Sequence, residues 1–162
     1  MKTIKIEPLT SAAFAPFGDV IETQGADHYP INSGMCERWH DLARVQISGP
    51  NARQLISIAV GQPYALPLEL KMVERHPLGS QAFIPLSPQP FLVIVALDDG
   101  GKPGVPRAFR TNGAQGVNYP INTWHGVLTP LAGVQRFLIV DRGGGGNNLQ
   151  EFFFDEPFLV TS

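Results

Sequence analysis

Phe91-Leu92-Val93-Ile94-Val95-Ala96-Leu97, followed at once by Asp98-Asp99-Gly100-Gly101, decides the fold class. The apolar run is far shorter than the roughly 20 residues that carry a helix across a bilayer. The acidic, glycine-rich stretch behind it supplies the positive-φ residues of a tight connection. The run therefore reads as a buried strand that turns back into an antiparallel neighbour. Outward from it, Thr3–Glu7, Gly18–Glu22, Leu55–Val60, Leu68–His76, Arg107–Thr111 and Val134–Asp141 are rich in valine, isoleucine and phenylalanine, and turn residues bound most of them. Thr111-Asn112-Gly113 reads as a second tight connection between antiparallel strands, and Leu149–Phe154 as a further strand. The 17 glycines and 15 prolines are scattered as punctuation instead of gathered into a linker. Only Ser11–Ala15, with Thr10 placed to cap it, reads as a helix. No internal repeat and no sustained helical periodicity interrupts this pattern. The prediction is an all-β antiparallel barrel or sandwich, one domain over residues 1–162, with one or two short helices and an interior that holds a small polar molecule.

The chain has 162 residues, enough to bury a core without staples. Its 12 basic and 14 acidic residues form no long run of like charge, which argues against nucleic acid and anionic membranes as partners. Met1 to Pro8 alternates apolar and polar residues and lacks the charged head and apolar middle of a secretion signal, so a cytoplasmic location is expected. Cys36 is the single cysteine and can form no internal disulfide; it reads as a small half-buried apolar residue.

Candidate chemistry concentrates in Glu74-Arg75-His76-Pro77-Leu78-Gly79-Ser80-Gln81-Ala82-Phe83. On a strand Glu74 and His76 share a face and Arg75 takes the other, so a carboxylate and an imidazole aim at one volume. Groups of that kind turned inward need partners, a metal or a ligand, because burying them unpaired costs a few kcal/mol. A second stretch, Gly116 to Gly126, delivers His125 after a turn-rich approach, so two histidines from separate strands could converge. His40 and Asp41 read either as an exposed polar loop or as a pair that orient one another near a mouth of the barrel, and His28 reads as solvated. Trp124 and Tyr119 read as wall aromatics, with the tyrosine hydroxyl also able to touch a substrate. Phe152-Phe153-Phe154 reads as an apolar strand that serves a subunit contact where exposed. Gly143 to Asn148 follows a strand without a helix behind it, so it reads as a flexible connection and not a dinucleotide loop.

The order Glu74, His76, Gln81 and a distant His125 resembles the two motifs of the cupin barrels, a double-stranded β-helix in which His-x-His, a later Glu and a distant His surround a metal. Here Glu74 stands in place of the first histidine and Gln81 in place of the glutamate. That departure narrows the resemblance to the bacterial ureidoglycolate lyases. It is carried by Tyr29–Asn32, Glu37–Ala43, Glu74–Pro85, Thr111–Tyr119, Asn122-Thr123-Trp124-His125 and Asp141–Gly144. Members often continue as Trp-His-His where this chain has Trp124-His125-Gly126.

The resemblance implies a cupin-like homodimer that cleaves (S)-ureidoglycolate to glyoxylate and urea in purine nitrogen recovery. Such a reaction needs a base, an acid and a carboxylate anchor. Glu74 with His125 or His76 would move the protons, the division between base and acid staying open. Arg38 and Arg142 are the candidate carboxylate anchors, with Gln81 and Tyr119 as further substrate contacts. Glu74, His76, Gln81 and His125 could also form a shell for nickel, manganese or zinc, although expelling urea needs no Lewis acid. Two other readings stand beside this one. A metal-dependent cupin oxygenase or isomerase would require a carboxylate where Gln81 sits, and a small-molecule sensor would require an effector domain.

Overall fold

The computed structural model describes residues 1–162. In chain order its elements are β1 (Lys2–Pro8), α1 (Ser11–Phe14), β2 (Asp19–Ile21), β3 (His28–Ile31), β4 (Cys36–Trp39), β5 (Arg53–Gly61), β6 (Leu68–Arg75) and β7 (Gln81–Pro85). They continue with β8 (Phe91–Ala96), β9 (Asp98–Asp99), β10 (Lys102–Pro103), β11 (Arg107–Arg110), β12 (Gly116–Tyr119), β13 (Trp124–His125), β14 (Thr129–Pro130), β15 (Gln135–Gly143) and β16 (Gln150–Thr161). The all-β expectation holds. The one α-helix is a single turn, and Thr10 caps it by accepting from the Ala13 amide at 3.1 Å.

Strands β11, β1, β16, β6, β13 and β8 pair in that order, and β11 pairs back onto β8, so six strands close into a ring. A second sheet, β2-β12-β7-β15-β5, covers one side of it. Strand β8 explains why Phe91–Ala96 is apolar throughout. Phe91, Val93 and Val95 pack with Phe83, Val117 and Phe137 of the second sheet, while Leu92, Ile94 and Ala96 pack inside the ring with Ile4, Val73 and Val160. Both faces of one strand are thus core, and alternation disappears.

Several expectations need correction. The ring is mixed: β1 lies parallel to both β11 and β16. Hairpins impose antiparallel pairing, and none joins β1 to either neighbour. Asp98-Asp99-Gly100-Gly101 does open the tight β9–β10 hairpin, with Gly100 and Gly101 at φ 62° and 87°. Thr111-Asn112-Gly113 does not make a hairpin. It carries the chain from β11 in the ring to β12 in the second sheet, with Gly113 at φ 91°. Cys36 is exposed, because the β3–β4 hairpin that bears it stands away from the core. Gly143 to Asn148 is anchored: Gly145 donates to Pro50 O at 2.9 Å, and Asn148 Oδ1 accepts from the Leu78 amide at 2.8 Å. Its glycines avoid clashes, since a Cβ on Gly144 would fall 2.8 Å from two backbone carbonyl oxygens.

Candidate active site

Glu74, one residue before the end of β6, lies directly opposite His125 of β13, and directly opposed residues project from the same face of a sheet. That face is the one turned toward the second sheet, because His125 also pairs with Val95. From the other side, Tyr119, Gln81 and Asp141 lie on one face of β12, β7 and β15. Tyr119 pairs with Gln81, and the β7–β15 register extends to Asp141 beside it. The polar cluster therefore occupies the cleft between the two sheets and not the lumen of the closed ring. Trp124 takes the lumen face, packed with Leu92 and Ala96.

His76 lies just past the end of β6, where the chain leaves the sheet toward Pro77. Its Nδ1 is 2.8 Å from Asn148 O, and its Nε2 is 3.1 Å from Gln81 Oε1 and 3.9 Å from Glu74 Oε1. Its ring centroid is 5.1 Å from that of His125. His125 is 2% exposed. Its Nδ1 donates to Gly126 O at 3.0 Å, which leaves Nε2 as a lone-pair acceptor, buried and without a partner. Tyr119 stacks flat on the same ring at 4.4 Å and fixes its plane.

Burial controls the ionisation here. It holds the His125 pKa down to about 3, with the Gly126 bond opposing and His76 assisting. Burial raises the Glu74 carboxyl above its usual range, the nearby His76 opposing and Glu151 assisting. Burial and then the Glu74 charge raise the Tyr119 hydroxyl, so it stays protonated. The cluster thus presents a half-buried carboxylate, one imidazole fixed neutral, and one imidazole whose two nitrogens both face acceptors.

A cavity of about 380 Å³ opens onto Glu74, His76, Gln81, Asp141, Asn147 and Asn148, a size suited to a small polar molecule. Other depressions exist, one of about 280 Å³ at Glu22, Asp27, His40 and Asp41 and one of about 400 Å³ at Phe152, Phe154 and Phe158. Neither gathers buried, unpartnered groups. The donor atoms of Glu74, His76 and His125 lie within 4.8 Å of one another. With the bare Nε2 of His125 oriented by its Nδ1 bond, this set fits a divalent cation.

Among the other expected site residues, Gln81 joins the cluster and donates from Nε2 to Asp141 Oδ2 at 3.1 Å. Arg142 does not face the cavity: its guanidinium donates to the carbonyls of Ser48, Pro50 and Gly145 and ties the β4–β5 and β15–β16 connections together. Arg38 is exposed on β4, and no arginine or lysine lines the cavity. Arg75 turns to the opposite face, over the Trp124 ring at 4.2 Å and bonded to Asp98 at 2.7 Å. His28 is exposed, paired with Glu37 at 2.7 Å and stacked on Trp39. Sequence reasoning missed Asp141 and Asn148 as cavity residues. The signal for Asp141 was its parity with Phe137 and Ile139, two inward residues on the same strand; Asn148 had none.

Comparison with known proteins agrees with the motifs. The ureidoglycolate lyase family model matches residues 1–161. The chain is 66% identical over 160 residues to a ureidoglycolate lyase of Chelativorans sp. (strain BNC1), covering 99% of this chain and 97% of the relative. It is 62% identical to one of Mesorhizobium japonicum and 59% identical to ureidoglycolate lyase 2 of Rhizobium meliloti, in both cases over 99% of this chain and 98% of the relative.

Proposed function

This chain belongs to the ureidoglycolate lyase family, and from that premise we propose that it cleaves (S)-ureidoglycolate to glyoxylate and urea between Glu74, His76 and His125. The carrying observation is the convergence of these three groups, from two chain segments far apart, around a buried Nε2 that has no protein partner.

The substrate carbon bears a hydroxyl, a carboxylate and a ureido nitrogen. Loss of the hydroxyl proton lets the C–O bond become a carbonyl as the C–N bond breaks. The nitrogen then takes a proton and leaves as urea, with no water consumed. Glu74 suits the base, since desolvation raises its proton affinity. His76 suits the acid: its ring nitrogens face two acceptor oxygens, Asn148 O and Gln81 Oε1, so the ring is placed to donate. Neutral His125 holds its bare Nε2 beside Glu74 as a second acceptor for the substrate. Tyr119, kept protonated, serves as a donor to the substrate carboxylate.

The cavity has acidic residues and no basic side chain apart from histidine, so an anionic substrate needs added positive charge. A nickel, manganese or zinc ion held by Glu74, His125 and a neutral His76 whose Nε2 had given up its contact with Gln81 would supply that charge and polarise the substrate hydroxyl. An oxygenase or isomerase is disfavoured, because a neutral amide engaged with His76 and Asp141 stands where its carboxylate ligand would be.

Residues 1–162 act as one domain in this reading, in the cytoplasm and in purine nitrogen recovery. No helix is long and apolar enough to cross a membrane. We assign a homodimer to the outer face of the second sheet, where Ile56, Ile58 and Val60 of edge strand β5 are 77%, 50% and 54% exposed. Arg38 remains a carboxylate anchor only if a second subunit brings it to the cavity.

Incubation with racemic ureidoglycolate should release urea and glyoxylate in equal amounts, with half of the substrate consumed. Ammonia in place of urea would refute a lyase. Exhaustive chelation followed by addition of single metals separates an ion-assisted site from one that works through side chains alone.

A further inference from the structure

Three side chains of the cavity wall, Asp141, Asn147 and Asn148, have one end tied down and a fourth, Gln81, has both, and this sets the polarity of what remains. Asp141 Oδ2 accepts from Gln81 Nε2 at 3.1 Å. A carboxylate can only accept, so the Gln81 amide must turn its NH2 to Asp141 and its carbonyl to His76. Asn148 Oδ1 accepts from the Leu78 amide at 2.8 Å, and Asn147 Oδ1 from the Leu149 amide at 3.2 Å. The Nδ2 groups of both asparagines are left as donors without protein partners, and Asp141 Oδ1 is left as an acceptor. All four residues line the same cavity.

We propose that Asp141, Asn147 and Asn148 form the subsite for the ureido end of the substrate, with Asp141 determining specificity; this rests on the lyase reading above. A ureido group carries a terminal NH2 beside a carbonyl oxygen. Asp141 Oδ1 accepts from the terminal nitrogen, and the asparagine amides donate to the carbonyl. The substrate is thereby held with its leaving nitrogen toward His76. An N-acyl hemiaminal has the same reacting carbon but a methyl group in place of the terminal NH2. It would leave the Asp141 carboxylate facing that methyl unpaired, a mismatch that sites built to hydrogen-bond a substrate reject strongly. The site therefore selects N-carbamoyl over N-acyl substrates.

The test compares the wild-type chain with Asp141→Asn and Asn147→Asp on ureidoglycolate and on N-acetyl-α-hydroxyglycine, with urea and glyoxylate as product inhibitors. The wild type should favour ureidoglycolate by more than about 100-fold in kcat/KM. Asp141→Asn should lose about tenfold or more on ureidoglycolate, mainly through KM, and weaken urea inhibition by a similar factor. Its inhibition by glyoxylate should stay within about threefold of wild type, which also shows that the site is folded, and its rate on the acetyl compound should not fall, because the carboxylate that faced the methyl group is gone. Asn147 is exposed, so Asn147→Asp should fold normally and weaken urea inhibition in the same direction. Unchanged urea inhibition in both variants, in a wild type that does release urea, overturns the subsite and leaves the lyase reading intact. A wild type that releases no urea overturns both.

Discussion

The two faces of the β6–β13 strand pair carry neighbouring residues and opposite designs. Toward the ring, Arg75 lies over Trp124, and both donate to Asp98 Oδ1, at 2.7 and 2.9 Å. Every charged group there is answered by another. Toward the second sheet, Glu74 and His125 are opposed without a bond between them, and His125 Nε2 is buried with no partner. The first face spends its polar groups on structure, whereas the second leaves them free for a ligand. Adjacent positions in sequence thus divide between a supporting face and the proposed site through strand alternation alone.

The sharpest way to break this contrast is to truncate one residue from each face. His125→Ala should lower turnover by several hundredfold or more, in the roughly 10²–10⁴ range of a positioned proton-transfer or ligand group. Arg75→Ala should leave kcat within about threefold. Equal losses in steady-state urea release would erase the distinction. Glu74→Gln comes next, with a loss of about 10²-fold. Because the Glu74 pKa is raised, the acid limb of the wild-type rate profile should lie above the ordinary carboxylate range, and it should vanish in the variant.

Stability against pH sharpens the comparison further. His125 is held neutral to about pH 3, whereas in the unfolded chain it titrates near 6.5. Above pH 6.5 neither state carries the proton, and the group costs nothing. As pH falls from 6.5 toward 3, the unfolded chain takes up a proton the fold refuses. Stability then declines by about 2 kcal/mol at pH 5 from this group. Glu74 acts in the opposite sense, since its raised pKa favours the fold as pH drops from that value toward 4.5. Urea denaturation of His125→Gln at several pH values should show the His125 decline removed. The smallest effect belongs to the supporting face: Arg75→Ala should cost about 1 kcal/mol through lost stacking and packing, measured by thermal unfolding.

Much of the cluster was legible because strand parity is a local property. Glu74, Arg75 and His76 sort to opposite sides from spacing alone, even though β6 ends at Arg75 and His76 is oriented by Asn148 and not by the sheet. The arginines were not legible in that way. Arg142 follows Asp141 on β15 and so faces away from the cavity, and its three carbonyl partners come from loops near residues 48, 50 and 145. Nothing in its neighbourhood announces them.

The sequence by itself determined the all-β character, the buried β8 strand, the tight Gly100-Gly101 turn, and the identity of an acid and two histidines in the cluster. Most of these depend on residue type and on a period of two, quantities written in short stretches of chain, whereas His125 enters through the family motif. Only the tertiary structure decided that the cluster lies between the sheets, that β1 runs parallel to its neighbours, and that Asp141 and Asn148 face Glu74. Those outcomes depend on which distant strands pair and in what register, and register is settled by the total burial of both cores instead of by any one segment.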